Sequence, residues 1–347
     1  MFQVVLPVAV AFLAAFFATP LVLKIAKKIG AVDVPSDRKV HSSVMPRMGG
    51  LAIYFGFTAA IVFTQPLSMK IVGLLLGCTI IILLGLLDDI KGVSPKAKLL
   101  GQSIAALVVV FFGIRVEFLT NPFADILSLG ILAIPFTVLW IVGVTNAINL
   151  IDGLDGLAAG TSGIAAVTIA IVAWMEGHAA VAMLSLVLAG AVFGFLPFNF
   201  NPARIFMGDT GSMFLGYSLS VLAVIGLTKS ATIISIFIPI IILGLPIFDT
   251  AFAIIRRIVN GSPIFQADKE HLHHQLLDIG MTHKQVVLIM YGVSLCLGSS
   301  AILMSILAPD QAVIILVSLA VLVLIGINHL SIGSVAKRRQ KVKDFSG

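Results

Sequence analysis

Charged residues are scarce in this sequence. Asp, Glu, Lys and Arg together make up 11% of its 347 residues, whereas soluble domains carry about 25%. A soluble fold of this length would need more polar side chains than the chain has to cover its surface. The shortage argues against a water-soluble globular protein. The 59% hydrophobic composition and the mean hydropathy of +1.13 predict a membrane protein instead.

Cysteine is also scarce, and several common signals are missing. Cys78 and Cys296 both lie inside apolar runs, so neither a disulfide framework nor a zinc site is indicated. The first apolar stretch has no basic segment before it and no small-residue cleavage site. We interpret it as a retained helix rather than a signal peptide. We find no internal repeat with matching interrupted helices, a pattern typical of transporters.

The apolar runs predict an all-α polytopic membrane protein. A bilayer core of roughly 30 Å needs about 20 apolar residues in each crossing helix. By this measure we expect about eleven transmembrane helices, separated by segments rich in Gly, Pro, Asn and Asp. The predicted spans are 3–23, 49–65, 71–87, 98–114, 128–146, 160–176, 179–196, 212–228, 232–255, 285–308 and 311–331. The connection 115–127 has room for a small hairpin.

The distribution of basic residues predicts the orientation. If the N-terminus faces outside, the inside loops hold 19 of the 22 Lys and Arg residues. The positive-inside rule therefore places the N-terminus outside and the C-terminus in the cytoplasm. Residues 1–331 would form a single integral-membrane domain, and 332–347 a basic cytoplasmic tail near anionic lipid. The pI of 9.4 reflects this topology rather than nucleic-acid binding.

Acidic residues cluster on the same predicted inner side. Asp88 and Asp89 end the third span, where two adjacent carboxylates oppose the negative end of the helix dipole. A nearby cation, a metal or phosphate chemistry would explain why they are kept. The open alternative is a solvated helix end that is neutralised by Lys91, Lys96 and Lys98.

Amide and carboxylate side chains recur at every third position in the next inside loop. Asn146, Asn149, Asp152 and Asp155 would form one slanting stripe on a helix, although Gly153 and Gly156 indicate a frayed or broken end. Such a stripe suits a hard cation such as Mg²⁺. An ordinary amphipathic helix would contain Lys, Ser or Glu as often, so the pattern favours a functional site.

A fourth inside loop leads directly into the eighth span. Asp209, Thr210 or Ser212 would lie at or near the helix N-cap, and a helix N-terminus favours phosphate. Asp209 could instead ligate a metal that holds the phosphate, or it could simply cap the helix. Phe206 could stack on a base or be buried in the interface, and both alternatives stay open.

Four of the seven histidines lie between residues 271 and 283. Imidazole groups of His271, His273 and His274 can bind phosphate oxygens, and their spacing differs from that of a helical zinc site. Asp249 lies about two turns inside the preceding span. It is either a functional intramembrane acid or the partner of an Arg in the same loop. Arg47 would suit an anionic ligand, but it also serves the positive-inside rule unaided.

Four of these segments resemble, in order, the signatures of the polyprenyl-phosphate N-acetylhexosamine-1-phosphate transferases. They are 87–89, 146–158, 206–212 and 271–274, and the resemblance runs from about residue 20 to about residue 285. Within the family, 38–41, 45–50 and 246–250 look most like the branch that uses UDP-N-acetylglucosamine, especially the Gram-positive teichoic-acid initiators. The peptidoglycan branch typically has three adjacent histidines, which Leu272 interrupts here. Gln275 stands where relatives often carry Arg.

The resemblance implies a reaction. N-acetylglucosamine-1-phosphate would pass from UDP-GlcNAc to undecaprenyl phosphate, with UMP released, at the cytoplasmic face of a bacterial plasma membrane. This would be the first membrane step of a cell-envelope glycan such as wall teichoic acid. One alternative is the phospho-MurNAc-pentapeptide transferase of peptidoglycan synthesis. An alternative of another class is an ion-coupled transporter or flippase, which would place its acids near the middle of the bilayer.

The resemblance also implies roles for individual residues. The cofactor would be Mg²⁺, with Mn²⁺ as an alternative, held by Asp209 together with Asn149 or Asp152. The catalytic residues would be Asp88, Asp89 and Asp152, with Asp88 or Asp89 acting on the lipid phosphate. The substrate-binding residues would be Asn149, Asp155, Asn199, Phe206, His271, His273, His274 and Arg47. The expected partners are the two substrates and the lipid bilayer, without nucleic acid, and a homodimer is an open alternative to a monomer.

Overall fold

The computed structural model describes residues 2–33, 44–116, 118–120, 126–227, 234–259, 261 and 271–322. This part of the chain is almost entirely helical. The helices are α1 (Phe2–Ile29), α2 (Gly50–Thr64), α3 (Met69–Lys91), α4 (Pro95–Phe111), α5 (Ala133–Ile151), α6 (Leu157–Met175), α7 (Ala179–Asn199), α8 (Gly208–Leu227), α9 (Ile234–Ile242), α10 (Gly244–Val259), α11 (Leu272–Asp278), α12 (His283–Ile306) and α13 (Pro309–Leu322).

Seven of the described helices are long and apolar enough to cross a membrane. They are α1, α3, α5 with the 3₁₀ turn before it, α6, α7, α8 and α12. Helices α2 and α13 are also apolar but shorter. The prediction of an all-α polytopic membrane protein is confirmed in this form.

The ninth predicted span differs from the structure. Residues 232–255 were expected to form one helix, but the chain forms α9 and α10, which separate at Leu243. Pro246 has no N–H group to donate to the carbonyl four residues earlier, at Ile242.

Four short strands complete the described structure. Strands β1 (Val32–Asp33) and β2 (Met45–Pro46) pair antiparallel and lead into α2. Strands β3 (Phe118–Thr120) and β4 (Ile126–Ser128) pair antiparallel as well, with Leu119 opposite Leu127. The second pair confirms the small hairpin expected between the fourth and fifth spans.

Helix α8 lies at the centre of the bundle. In its most apolar membrane-length stretch, 83% of α8 is buried, compared with 22% for the corresponding stretch of the peripheral α1. Helices approach it closely where glycine replaces a side chain. A Cβ at Gly85 of α3 would lie 2.4 Å from Cα of Thr210, and a Cβ at Gly216 of α8 would lie 2.6 Å from Cα of Thr145 on α5. These contacts bring one end each of α3, α5 and α8 together.

Candidate functional site

The acidic residues predicted for the site meet where α3 and α5 end and α8 begins. Asp88 and Asp89 lie in the last turn of α3, Asp152 directly follows α5, and Asp209 lies in the first turn of α8. Three acidic segments that are distant in the sequence thus form one acidic cluster, which consists of these four residues.

Asp88 and Asp209 share one cation. Nζ of Lys98 lies 2.5 Å from Oδ2 of each carboxylate. Ser94 caps α4 by accepting a hydrogen bond from its first turn, and this start of the helix directs Lys98 towards the acidic cluster. Asp88 also accepts a hydrogen bond from the backbone N–H of Val93, at 2.6 Å. No local pattern distinguishes Lys98 from Lys91 and Lys96 in the sequence.

Asp89 differs from its neighbour because it is buried, with 2% of its surface exposed. Its Oδ1 accepts a hydrogen bond from the backbone N–H of Asp209 at 3.1 Å. Its Oδ2 accepts hydrogen bonds from the N–H of Thr210 at 3.0 Å and from the Thr210 hydroxyl at 2.6 Å. The two adjacent carboxylates at the end of α3 therefore have separate partners.

Arg47 contacts the end of α3. Its Nε and Nη2 donate to the backbone carbonyl of Asp89, at 3.0 and 2.7 Å. Nε lies 3.7 Å from Oδ1 of Asp89, and Nη1 lies 3.9 Å from Asp33. Arg47 was predicted to bind substrate, and in the structure its guanidinium group contacts Asp89 and Asp33.

The predicted stripe of amides and carboxylates is only partly helical, because α5 ends at Ile151. Asn149 donates to the hydroxyl of Ser212 on α8, at 2.8 Å. Asn146 donates to the side-chain carbonyl of Gln102 on α4, at 2.7 Å. The amides of the stripe thus connect α5 to its two neighbours, and the carboxylates follow beyond the helix end.

Asp152 is the member of the acidic cluster without a hydrogen-bond donor among the described residues. The residue as a whole is half-buried. Burial of the charge, together with repulsion from Asp209, Asp89 and Asp155, raises the pKa of Asp152 well above its usual value. A carboxylate in this environment is stabilised when a cation binds nearby.

The predicted metal ligands fit Mg²⁺ in part. No three His, Cys, Asp or Glu side chains surround a common metal position within the described ranges. Mg²⁺, however, is usually bound through one or two carboxylates plus substrate phosphates rather than by an all-protein cage. Asp209 and Asp152, with the amide of Asn149 close to the same helix ends, supply such a partial set of oxygen ligands. Lys98 balances part of the negative charge.

Asp155 connects two loops. Its Oδ2 accepts hydrogen bonds from the side-chain amide of Asn201 and the backbone N–H of Ala203, both at 3.0 Å. Its own backbone N–H donates to Nε2 of His283 on α12, at 2.9 Å. Asp155 was predicted to contact substrate, and these contacts position it between the loop after α5 and the loop before α8.

Asn199 has a similar position at the end of α7. Its Oδ1 accepts a hydrogen bond from the N–H of Gly156 at 3.1 Å, and its Nδ2 donates to the carbonyl of Ile205 at 3.0 Å. The side chain is buried. The hydroxyl of Tyr291 on α12 donates to the carbonyl of Gly156, at 2.5 Å. Sequence reasoning gave no role to Tyr291 or His283, because their partners at Gly156 and Asp155 lie 135 and 128 residues away.

Asp249 pairs with a histidine rather than with an arginine among the contacts that the structure defines. Its Oδ2 lies 2.7 Å from Nδ1 of His271, and its Oδ1 accepts a hydrogen bond from the N–H of Leu272 at 2.8 Å. The interaction ties the start of α11 to α10. Both side chains are buried.

His273 lies between the other two histidines and the turn that carries Asp152. Its ring is 5.9 Å from that of His271 and 4.2 Å from that of His274. A Cβ at Gly153 would lie 2.4 Å from Nε2 of His273. Neither ring nitrogen of His273 has a partner among the described residues. Burial, and then His274, lower the pKa of His273 to about 3, so the ring is neutral at neutral pH.

Phe206 lies in the loop before α8, and its backbone is hydrogen-bonded to the residues just before α2. Its N–H donates to the carbonyl of Pro46 at 2.8 Å, and its carbonyl accepts from the N–H of Gly49 at 3.0 Å. The side chain is half-buried. Both alternatives from the sequence, a stacking surface and an interfacial anchor, are compatible with this position.

The sequence profile described as "Glycosyl transferase family 4" matches residues 71–227. This range contains the acidic cluster, Lys98 and Asn149, and it ends before the histidine segment.

Several relatives match most of the chain. A Bacillus subtilis (strain 168) protein named "Probable undecaprenyl-phosphate N-acetylglucosaminyl 1-phosphate transferase" is 49% identical over 309 residues, which cover 88% of this chain and 86% of the relative. The "Decaprenyl-phosphate N-acetylglucosaminephosphotransferase" of Mycobacterium leprae (strain TN) is 37% identical, covering 80% of this chain and 77% of the relative. The "Phospho-N-acetylmuramoyl-pentapeptide-transferase" of Halalkalibacterium halodurans is 34% identical, covering 81% and 89%. This similarity confirms the resemblance found in the motifs: the chain is an enzyme that belongs to glycosyl transferase family 4, among the polyprenyl-phosphate N-acetylhexosamine-1-phosphate transferases.

Proposed function

We propose that the enzyme transfers N-acetylglucosamine-1-phosphate from UDP-GlcNAc to undecaprenyl phosphate and releases UMP. The observation that carries this proposal is the acidic cluster with Lys98 between Asp88 and Asp209, inside the range that matches the family. The relatives named for N-acetylglucosamine transfer to a polyprenyl phosphate are 49% and 37% identical. The proposed product starts a cell-envelope glycan, and we assign it to wall teichoic acid.

The proposed reaction forms a bond between an oxygen of the lipid phosphate and the β-phosphorus of the UDP-sugar. It breaks the bond from that phosphorus to the oxygen that leaves with UMP. Phosphoryl transfer of this kind depends on positioning and on neutralisation of charge more than on covalent help from the protein. Mg²⁺, when bound by Asp209 with Asn149 or Asp152, would supply neutralisation of the pyrophosphate.

The remaining chemistry falls to side chains of the chain itself. Asp88, which is more accessible than Asp89, would orient and deprotonate the lipid phosphate. The positive charge of Lys98 would offset the repulsion between the carboxylates of Asp88 and Asp209, so that both can be ionised. The histidine segment would lie along the phosphates of the donor, close to the turn that carries Asp152.

We assign UDP-GlcNAc rather than UDP-MurNAc-pentapeptide as the donor. The relative named for the pentapeptide substrate is 34% identical, less than the two named for N-acetylglucosamine. Leu272 also separates His271 from the next two histidines. A donor panel tests the assignment: purified enzyme with undecaprenyl phosphate and Mg²⁺ should label the lipid from radiolabelled UDP-GlcNAc. If the lipid were labelled only from UDP-MurNAc-pentapeptide, the pentapeptide nucleotide would be the donor instead of UDP-GlcNAc.

We further propose eleven spans, an outside N-terminus and a cytoplasmic active site. The support is the placement of 19 of 22 Lys and Arg residues in the predicted inside loops. The acids lie together at helix ends, which disfavours a transporter with acids at mid-bilayer. In a cysteine-free background, Glu176→Cys should react with an impermeant maleimide on intact cells, and Asp278→Cys only after permeabilisation. The opposite pattern would invert the topology.

A further inference from the structure

Helix α8 has no N-cap from its own chain segment. The first turn of a helix leaves N–H groups without intrahelical partners, and a side-chain oxygen of the preceding residue usually accepts from the second or third of them. The residue before α8 is Met207, whose side chain has no oxygen. The N–H groups of Asp209 and Thr210, the second and third residues of the helix, need an acceptor from elsewhere.

Asp89 supplies that acceptor from α3. Its carboxylate receives the N–H groups of both residues and also the hydroxyl of Thr210, at 3.1, 3.0 and 2.6 Å. The side chain is 1% exposed. With three donors bound and almost no accessible surface, this carboxylate has little freedom to act on a lipid phosphate.

The surrounding contacts fix this arrangement. Arg47 binds the carbonyl of Asp89, one of the carbonyls that the end of α3 leaves without a helical partner. A Cβ at Gly208 would lie 2.5 Å from Oδ2 of Asp89, and a Cβ at Gly50 would lie 2.0 Å from Cα of Gly211. The starts of α2 and α8 and the end of α3 are therefore packed together without spare volume.

We propose that Asp89 is a positioning residue rather than a catalytic one. Asp89 caps α8 and thereby holds Asp209 in place, Arg47 holds Asp89, and Asp88 alone of the adjacent pair faces substrate. The assignment rests on the proposed function and changes the role expected for Asp89 and Arg47. It also explains the acidic pair at the end of α3: the positive end of the α8 dipole stabilises the Asp89 carboxylate.

Conservative and non-conservative variants of the two aspartates test the proposal. In Asp89→Asn, the amide oxygen still accepts from Thr210 N–H and its hydroxyl, so one of three hydrogen bonds is lost. We expect activity to fall about 10-fold in Asp89→Asn, which loses one hydrogen bond, and on the order of 1,000-fold in Asp89→Ala, which loses all three, at about a factor of ten for each hydrogen bond. Asp88→Asn and Asp88→Ala should be equally inactive, because an amide cannot take a proton from the lipid phosphate.

The dependence on Mg²⁺ separates positioning from general destabilisation. Asp89→Ala should raise the Mg²⁺ concentration for half-maximal rate, because Asp209 is displaced. Glu176→Gln, an exposed acid-to-amide change far from the site, should leave both rate and Mg²⁺ requirement unchanged. If Asp89→Ala does not fold, Asp89→Asn remains decisive: it must keep about a tenth of wild-type activity where Asp88→Asn keeps almost none.

Two failures are distinguishable. A wild-type enzyme that forms no labelled lipid would reject the proposed function and the role of Asp89 with it. An active wild type in which Asp89→Asn is as impaired as Asp89→Ala would reject only the positioning role, since an isosteric cap would then fail to rescue. Wild-type activity in Asp89→Ala would reject it as well.

Discussion

The close contact between Gly153 and His273 can be used to test whether the histidine segment packs against the turn that carries Asp152. In Gly153→Ala, the new Cβ would lie 2.4 Å from Nε2 of His273, so the ring would have to retreat by 1.0 Å to reach the 3.4 Å of ordinary contact. His273 is 1% exposed and lies against His271 and His274, so it cannot move alone. The turn carrying Asp152 must move instead.

The structure sets the expected size of the effect. Overpacking of this kind costs about 1–3 kcal/mol of stability, and a displacement of about 1 Å near reacting groups can reduce the rate about 100-fold. We therefore expect Gly153→Ala to remain folded, with a lower unfolding midpoint and a rate of UMP release reduced about 100-fold. Rates would be measured on purified enzyme with saturating UDP-GlcNAc, and unfolding by thermal melting.

Gly143→Ala is the matched control. Gly143 lies on an exposed face of α5, and nothing lies within 4 Å of a Cβ at this position. Alanine is favoured over glycine in a helix by about 1 kcal/mol, so the control should be active and no less stable than wild type. Equal activity of Gly153→Ala and Gly143→Ala would refute the contact between the turn and His273.

Three further variants test other contacts of the site. Lys98→Met leaves the carboxylates of Asp88 and Asp209 without their shared cation. We expect at least a 100-fold lower rate, because two unscreened carboxylates this close repel each other by several kcal/mol. A rate near wild type would show that Lys98 has no role in the reaction. Asp249→Asn keeps an acceptor for the N–H of Leu272 in α11 but presents an N–H to His271, which reverses the tautomer of that histidine. We expect kcat to fall at least about 10-fold. Asp278→Asn is the control and should stay active. Asp209→Ala should abolish turnover, and wild-type turnover at unchanged Mg²⁺ would remove Asp209 from the metal site.

The helical architecture was largely predictable from the sequence because long apolar runs mark the helices, although seven of the described helices reach membrane length and not eleven. Each predicted span coincides with a described helix for at least part of its length. The break between α9 and α10 was missed, since hydropathy continues across Leu243 while the backbone responds to Pro246. Pro246 is evident in the sequence, but hydropathy does not show whether a proline bends a helix or divides it.

The grouping of the candidate site residues was predictable from the sequence, but their individual contacts were not. Residue types and their order identified Asp88, Asp89, Asp152 and Asp209. Which of them are bound to protein donors depends on how α3, α4 and α8 pack, and no local pattern reports that. The capping role inferred for Asp89 could not be read from the sequence for this reason, because its partners lie 120 and 121 residues away.

The fate of the two donor phosphates tests the central claim most directly. Purified enzyme would receive undecaprenyl phosphate, Mg²⁺ and UDP-GlcNAc labelled with ³²P at either the α- or the β-phosphate. Transfer of N-acetylglucosamine-1-phosphate predicts that the β-label enters the lipid fraction and that the α-label appears only in UMP. Release of the β-label in UDP, with unphosphorylated sugar transferred, or the absence of any labelled lipid, would contradict the account.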